Sequence, residues 1–170
     1  MGGLSEVLNN EVLAERFQKI APTSMNLEAE KAFAIQLLNT NSWLAKVATG
    51  APNSLLAAVS NVAAIGLSLN PAKKEAYLIT RSVKASNNQW EQRVFLEPSY
   101  MGLCNIATQS GCIDWVQARI VYASDTYENN GPDNVPTHKS NPFAKKEARG
   151  EFVGVYCTAK TDKGDFSQQK

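Results

Sequence analysis

The sequence lacks the residues from which most metal and disulfide sites are built. It has three cysteines, Cys104, Cys112 and Cys157, and a single histidine, His138. The cysteine number is odd and no two cysteines have Cys-x-x-Cys spacing, so neither a disulfide framework nor a zinc site is predicted. A reducing cytosol fits this cysteine usage. We therefore expect a cytoplasmic protein without a bound metal.

Long hydrophobic runs are absent as well. No stretch approaches the roughly 20 apolar residues of a membrane span. The first residues lack the basic-then-apolar pattern of a secretion signal. Glu6 stands where a myristoylation signal has serine or threonine. No membrane partner is expected.

The motifs of common enzyme classes are also missing. The sequence contains no Gly-x-x-x-x-Gly-Lys-Ser/Thr loop and no Gly-x-Ser-x-Gly elbow. His138 is alone in a polar segment, where a solvated or locally hydrogen-bonded histidine is the commonest case. The carboxylates Asp114, Asp125, Glu128 and Asp133 have no spacing diagnostic of a metal site, and solvated surface explains them better. We predict no catalytic residue, no cofactor and no enzyme activity.

A charge excess of either sign is lacking too. There are 17 basic and 16 acidic residues among 170, a net charge of +1. A nucleic-acid partner must therefore be met by a local patch, because a neutral total can hide a strong local field. Residues 71–100 carry five basic and three acidic side chains, whereas residues 1–70 carry four and five.

Apolar spacing predicts an α-helical block over residues 1–70. One helix is expected over residues 4–20, a second over 27–38 with Asn26 as its N-cap, and a short one around 43–48. A fourth starts near Pro52 and ends near Gly66. Its alanine-rich surface suits close packing between subunits.

After Pro71 the apolar period changes from that of a helix to that of strands. Strands over residues 76–83 and 90–97 form a predicted hairpin, and Pro98-Ser99 starts a helix that Gly111 ends. Further strands are expected over 113–123 and 152–159. Residues 124–149 are predicted as a long loop without regular structure. Residues 160–165 are predicted as a hairpin turn whose partner strand should start at Phe166. Because the sequence stops at Lys170, a truncated chain is expected.

Together these elements predict an α+β fold, in which an N-terminal helical block packs on a mostly antiparallel sheet with a β-hairpin and an intervening helix. We expect a single domain over residues 1–170, made of a helical block at 1–70 and an α+β core at 71–170. A C-terminal segment is expected to be missing from it.

Basic residues near aromatic residues are the candidates for binding. Lys73 and Lys74 follow Asn70-Pro71, while Arg81 and Arg93 belong to the hairpin, where they are expected to share a face near Tyr77, Trp90 and Tyr100. Cations neutralise phosphates and ring faces accept stacked bases. From spacing alone, a solvated rim with core aromatics explains these residues better.

A second basic group lies in the predicted loop and consists of Lys139, Lys145, Lys146 and Arg149. Loops often carry function. Phosphate binding and an ordinary soluble loop explain this group equally well.

Several sequence blocks then occur in a fixed order. They are residues 64–71 (AIGLSLNP), 75–79 (EAYLI), 100–103 (YMGL) and 153–156 (VGVY), with Asp125 and His138 before the last block. Over roughly residues 30–165 the chain thereby resembles the RecT family of phage-type single-strand DNA annealing proteins, to which the Redβ proteins are distantly related.

The resemblance implies an ATP-independent protein that coats single-stranded DNA left by a partner phage exonuclease. Such a protein assembles as a ring or filament, pairs complementary strands during homologous recombination and holds the annealed duplex. It implies a bacterial host cytoplasm and contact with the host single-strand-binding protein through a C-terminal tail not present here. The alternative is a helical assembly or adaptor module that binds protein rather than DNA. A carboxylate-metal nuclease is the third possibility.

The resemblance also assigns site residues. Lys74 matches the family's basic position before Glu75, and Lys73 is its neighbour. The predicted DNA-binding residues are these two together with Arg81, Arg93, Tyr100, Arg119, Lys139 and Arg149. Met101 replaces a usual family lysine, so the contact of that lysine is missing here. The family's Lys/Arg-rich helix, which contributes to the DNA groove, is also expected to lie beyond these residues.

Overall fold

The computed structural model describes residues 2–86, 88–131, 134–161 and 164–169. They form two compact units, Met1–Ile106 and Ala107–Lys170. N-terminal helices followed by antiparallel sheets confirm the predicted α+β class. That residues 1–170 form a single domain stays a prediction, because it depends on whether the two units can fold independently. Asn87 of the predicted hairpin turn, the carboxylate Asp133 and the turn residues Asp162 and Lys163 lie outside the described residues.

Five helices begin the first unit: α1 (Gly2–Leu8), α2 (Glu11–Ile20), α3 (Leu27–Thr40), α4 (Ser42–Gly50) and α5 (Pro52–Ile65). The prediction of one helix over residues 4–20 is wrong. Asn10 has extended backbone, and its side chain accepts a hydrogen bond from the Val12 N–H at 2.8 Å. This N-cap starts a new helix, while Leu8 and Leu13 both stay buried, so the apolar pattern continues across the break.

The other helix boundaries follow their sequence cues. The Asn26 side chain accepts from the Ala29 N–H at 3.1 Å and caps α3. Pro52 begins α5, where its missing N–H has no cost. Gly66 ends α5 with a φ of +69°, a left-handed conformation that favours glycine. Leu55 and Val59 of α5 are fully buried, and they anchor the core of this unit.

Strands β1 (Ala76–Lys84) and β2 (Trp90–Pro98) form the predicted antiparallel hairpin. Leu78 and Val94 are buried on one face, which packs against α4 and α5. Helix α6 (Tyr100–Gln109) follows. Ser99 caps α6, because its Oγ accepts a hydrogen bond from the Gly102 N–H at 3.0 Å.

The second unit contains a three-stranded antiparallel sheet of order β3-β6-β7, built from β3 (Trp115–Tyr122), β6 (Phe152–Thr161) and β7 (Gly164–Gln169). One expectation fails here. Residues 124–149 are not without structure, because β4 (Thr126–Glu128) pairs with β5 (Thr137–Lys139) and a 3-10 helix spans Lys146–Ala148. The predicted hairpin after β6 does form, and its second strand, β7, starts at Gly164, two residues before the expected Phe166.

Candidate nucleic-acid interface

A tight turn joins the helices of the first unit to the hairpin, and we call residues 67–75 the basic corner. The Asn70 side chain accepts from the Ala72 N–H at 2.9 Å, and the Asn70 carbonyl accepts from the Lys73 N–H at 3.0 Å. Lys74 has a φ of +53°, which is uncommon for a residue other than glycine. The turn therefore fixes the backbone of both lysines.

Two carboxylates hold the segment before this turn. Glu30 of α3 is 4% exposed, and it accepts from the Ser68 hydroxyl at 2.6 Å and from the Leu69 N–H at 2.8 Å. Glu75 accepts from the Ser68 N–H at 3.0 Å and from the Asn105 side chain of α6 at 3.0 Å. Hydrogen bonds to carboxylates are stronger than neutral ones, so the corner is tied to two helices.

Helix α6 packs directly against the basic corner. The Ser99 N–H donates to the Glu75 carbonyl at 2.8 Å, and the Ser99 hydroxyl donates to the Lys74 carbonyl at 2.5 Å. A methyl group at Gly102 would overlap the Glu75 carbonyl oxygen and lie 2.9 Å from Leu67 Cδ1. Glycine is therefore required at this position by close packing, and it brings the start of α6 beside Lys74.

Glu30 is a residue that sequence reasoning missed. It lies on the same helical stripe as the buried residues Ala34 and Leu38, at intervals of four. A carboxylate inside an apolar stripe needs hydrogen-bond partners once it is buried. The position of Glu30 in this stripe was therefore the one feature of the sequence that could have indicated its buried hydrogen bonds.

The lysines of the basic corner are presented to solvent. Lys73 and Lys74 are exposed, and among the described residues neither forms a salt bridge. Tyr100, at the start of α6, is 78% exposed. The structure thus brings together two cations without carboxylate partners and one open aromatic ring.

Arg81 and Arg93 lie directly opposite each other on one face of the hairpin. Like charges in this arrangement repel each other, and each arginine has a carboxylate partner on the same face. Arg81 pairs with Glu97 at 2.5 Å, and Arg93 pairs with Glu91. Much of the positive charge on this face is therefore offset.

The aromatic residues of the hairpin lie on different faces. Tyr77 shares the arginine face, and it is 44% exposed. Trp90 does not, because successive residues of a strand alternate between faces and Trp90 is three residues before Arg93. It lies opposite Lys84 at the end of the hairpin and is 71% exposed. The structure therefore places Tyr77, but not Trp90, on the arginine face.

The remaining predicted residues belong to the second unit. Arg119 on β3 is exposed and donates to the Gln117 side chain at 3.1 Å, and Lys139 on β5 is exposed. Arg149 is half-buried, donates to the Ala144 carbonyl at 3.2 Å and lies over the Tyr122 ring at 5.8 Å. The side chain of Arg149 thus organises its own loop.

His138 is at the centre of a buried network. Its Nε2 lies 3.2 Å from Asp125 Oδ2, and its Nδ1 lies 3.1 Å from the Tyr156 hydroxyl. The side chains of His138 and Asp125 are 4% and 6% exposed. The interpretation of Asp125 as solvated surface is therefore wrong.

The Tyr122 N–H donates to Asp125 at 2.9 Å, and this hydrogen bond lowers the pKa of the Asp125 carboxyl. His138 and Arg149 lower that pKa further. Together these effects outweigh burial, which acts to raise it. Burial raises the pKa of the neighbouring Tyr127, and Tyr156 adds to that shift. This network fastens the β4–β5 hairpin to β3 and β6.

Converging metal ligands and membrane-spanning helices are both absent from the described residues. Among the described residues, no group of three or more His, Cys, Asp or Glu side chains converges as a metal site. Within the same part of the chain, no helix combines the length and hydropathy needed to cross a membrane.

Comparison with known proteins gave one finding. The model of the RecT family matches residues 28–168. Neither the curated proteins nor the solved structures gave a significant match. The matched segment includes Glu30, the basic corner, the hairpin and α6, whereas α1 and α2 precede it.

Proposed function

The chain belongs to the RecT family of single-strand DNA annealing proteins, and from this premise we propose that it pairs complementary strands without ATP as a ring or filament of many copies. Family membership implies single-stranded DNA annealing in recombination. The oligomeric form, the independence from ATP and the DNA-contacting residues are the parts that we propose.

The observation that carries the proposal is the basic corner. Lys73 and Lys74 are exposed and without salt bridges among the described residues, on a backbone held by Glu30, Glu75 and Ser99. A backbone that is already fixed reduces the freedom that each lysine loses when its ammonium group meets a phosphate. These lysines are the proposed phosphate contacts, and the open ring of Tyr100 is the proposed surface for a stacked base.

The other cations take graded roles in this proposal. Arg119 and Lys139 are exposed and supply further phosphate contacts. Arg81 and Arg93 contribute less, because a phosphate must compete with Glu97 and Glu91 for them. Arg149 acts through the shape of its loop, since it is engaged by backbone carbonyls.

The low net charge of +1 fits a protein that works in many copies. Each subunit needs only a few phosphate contacts, because linked sites multiply along one strand. A protein that holds the backbone leaves the base edges free, so base pairing itself reads the sequence.

The proposed partners follow from the family. They are single-stranded DNA, the annealed duplex, further copies of the chain, a phage exonuclease that produces the single strands and the host single-strand-binding protein. The proposed location is the cytoplasm of a bacterial host cell.

An annealing assay without ATP tests the proposal. Two complementary dye-labelled oligonucleotides are mixed, and the pairing rate is followed by energy transfer. The protein should accelerate pairing, and the double variant Lys73→Ala/Lys74→Ala should lose most of that acceleration. Lys19→Ala is the control, because Lys19 is an exposed lysine on α2, outside the family match. If pairing is not accelerated, but the chain polymerises without DNA, the adaptor alternative replaces annealing.

A further inference from the structure

A cleft of about 590 Å³ lies between the first half of α5 and the edge of β2 that faces away from β1. Its volume falls within the range of about 300–1,000 Å³ that is typical of small-molecule sites. None of the basic-corner residues lines it. The cleft is therefore separate from the basic corner, and of the predicted DNA-binding residues it contains only Arg93.

The helix side of the cleft is a regular stripe. Asn53, Ala57 and Asn61 recur at intervals of four, so they share one face of α5, and all three are exposed. Among the described hydrogen bonds, none involves the side-chain amides of Asn53 or Asn61. The small Ala57 side chain leaves space between two amides that are free to bind a ligand.

The strand side adds a ring and a cation. Arg93 and Phe95 are two residues apart on β2, so they share a face, and both line the cleft. Phe95 is half-buried, and Arg93 is exposed. Glu91 also lines the cleft and pairs with Arg93, so a phosphate here must displace this carboxylate from the guanidinium. Amide groups recognise base edges, aromatic rings accept stacked bases, and a guanidinium binds phosphate.

We propose that this cleft takes a nucleobase of the bound single strand, with Phe95 against the base, Asn53 and Asn61 at its edge and Arg93 on the adjoining phosphate. The inference rests on the proposed function, since it adds a base contact to a protein proposed to hold the backbone. One base per subunit held in this way fixes the position of the strand along the assembly, while the edges of the other bases stay free to pair.

An added peptide strand suits the cleft less well. A strand that pairs with the outer edge of β2 needs the backbone donors of that edge. The Val94 N–H is already bonded to Ser54 Oγ at 2.9 Å, in the middle of the edge. The edge is therefore blocked where a peptide would pair, while the space in front of Ala57 stays open.

The test fills the cleft and measures the dependence of binding on bases. Fluorescence anisotropy compares a thymine oligonucleotide with a matched oligonucleotide of abasic residues. Wild-type protein should prefer the thymine strand, and a part of that preference belongs to the proposed stacking on Tyr100, which lies outside the cleft. Ala57→Leu should lower the preference by roughly tenfold, the scale of one stacked base, and leave affinity for the abasic strand unchanged. Ala64→Leu, an exposed position on α5 outside the cleft, is the matched control and should keep the preference.

A second variant keeps the test decisive if Ala57→Leu does not fold. Asn61→Ala removes one amide without adding volume, and it should reduce the preference about threefold, a part of the effect of one base contact. An unchanged preference in folded Ala57→Leu and Asn61→Ala overturns the inference. So does a change in self-association by Ala57→Leu without a change in base preference, which would mark the cleft as a protein contact. Failure of wild-type protein to bind either strand instead removes the proposed function itself.

Discussion

Lys74 combines a free charge with an uncommon backbone conformation. A left-handed conformation costs a non-glycine residue about 1 kcal/mol, and here it is held by the Ser99 hydroxyl bond to the Lys74 carbonyl. Strained residues of this kind cluster at binding sites, because the surrounding structure maintains them. A lysine at this φ is consistent with selection for its charge, since glycine would relieve the strain.

Gly102 is the residue that the corner can least replace. Gly102→Ala should destabilise the protein by about 1–3 kcal/mol, because the added methyl group overlaps the Glu75 carbonyl. Urea denaturation measures the loss. Gly50→Ala is the control, since no neighbouring atom lies within 4 Å of its added carbon, and its stability should stay equal or rise. Equal effects of the two substitutions would contradict the close packing of α6 on the corner.

The sequence was enough to predict which basic residues are candidates for binding, but not which carboxylates pair with them. The order Asn70-Pro71 before Lys73, Lys74 and Glu75 was enough to propose a basic turn. The pairing of Arg81 with Glu97 depends on which residues of the two strands lie opposite each other. That register becomes known only from the structure of the hairpin. The role of Glu30 likewise depends on a segment 38 residues away, the position of Ser68.

At the scale of elements, boundaries with a capping residue were predictable. Asn26, Pro52, Gly66 and Ser99 each start or end a helix through a local hydrogen bond or backbone preference. The break between α1 and α2 was missed, because Asn10 interrupts an apolar pattern that continues on both sides.

The β4–β5 hairpin was missed for a different reason. Each of its strands has three residues, too few to show an alternating pattern. Its order comes instead from buried tertiary contacts of His138 with Asp125 and Tyr156. Such contacts between distant residues leave no periodic trace in the sequence.

Asp125 gives this hairpin a characteristic dependence on pH. The folded-state pKa of Asp125 lies below its ordinary value, so its contribution to stability is present above about pH 4 and is lost as pH falls through the lowered pKa. Asp125→Asn should be less stable than wild type at neutral pH, and the difference should shrink under acid. Urea midpoints from pH 7 to about pH 3 measure this. Parallel curves for the two proteins would show that the carboxylate contributes nothing specific.

For the whole molecule, the structure describes two compact units, each with its own antiparallel pairing. The α+β class was predictable, because the apolar period changes from helical to alternating near Pro71. The boundary between the units after Ile106 was not, since it falls within α6 and no glycine or proline marks it.

The central claim is that Lys73 and Lys74 bind the phosphates of single-stranded DNA. The most direct measurement is the slope of log affinity against log salt concentration for a thymine oligonucleotide. Each phosphate contact on a single strand contributes about 0.7 to this slope. The Lys73→Ala/Lys74→Gly variant, whose glycine keeps the left-handed turn, should therefore have a slope smaller by about 1.4 per subunit, while Lys19→Ala keeps the wild-type slope. A slope unchanged by the double substitution would contradict the claim and exclude the basic corner from the DNA interface.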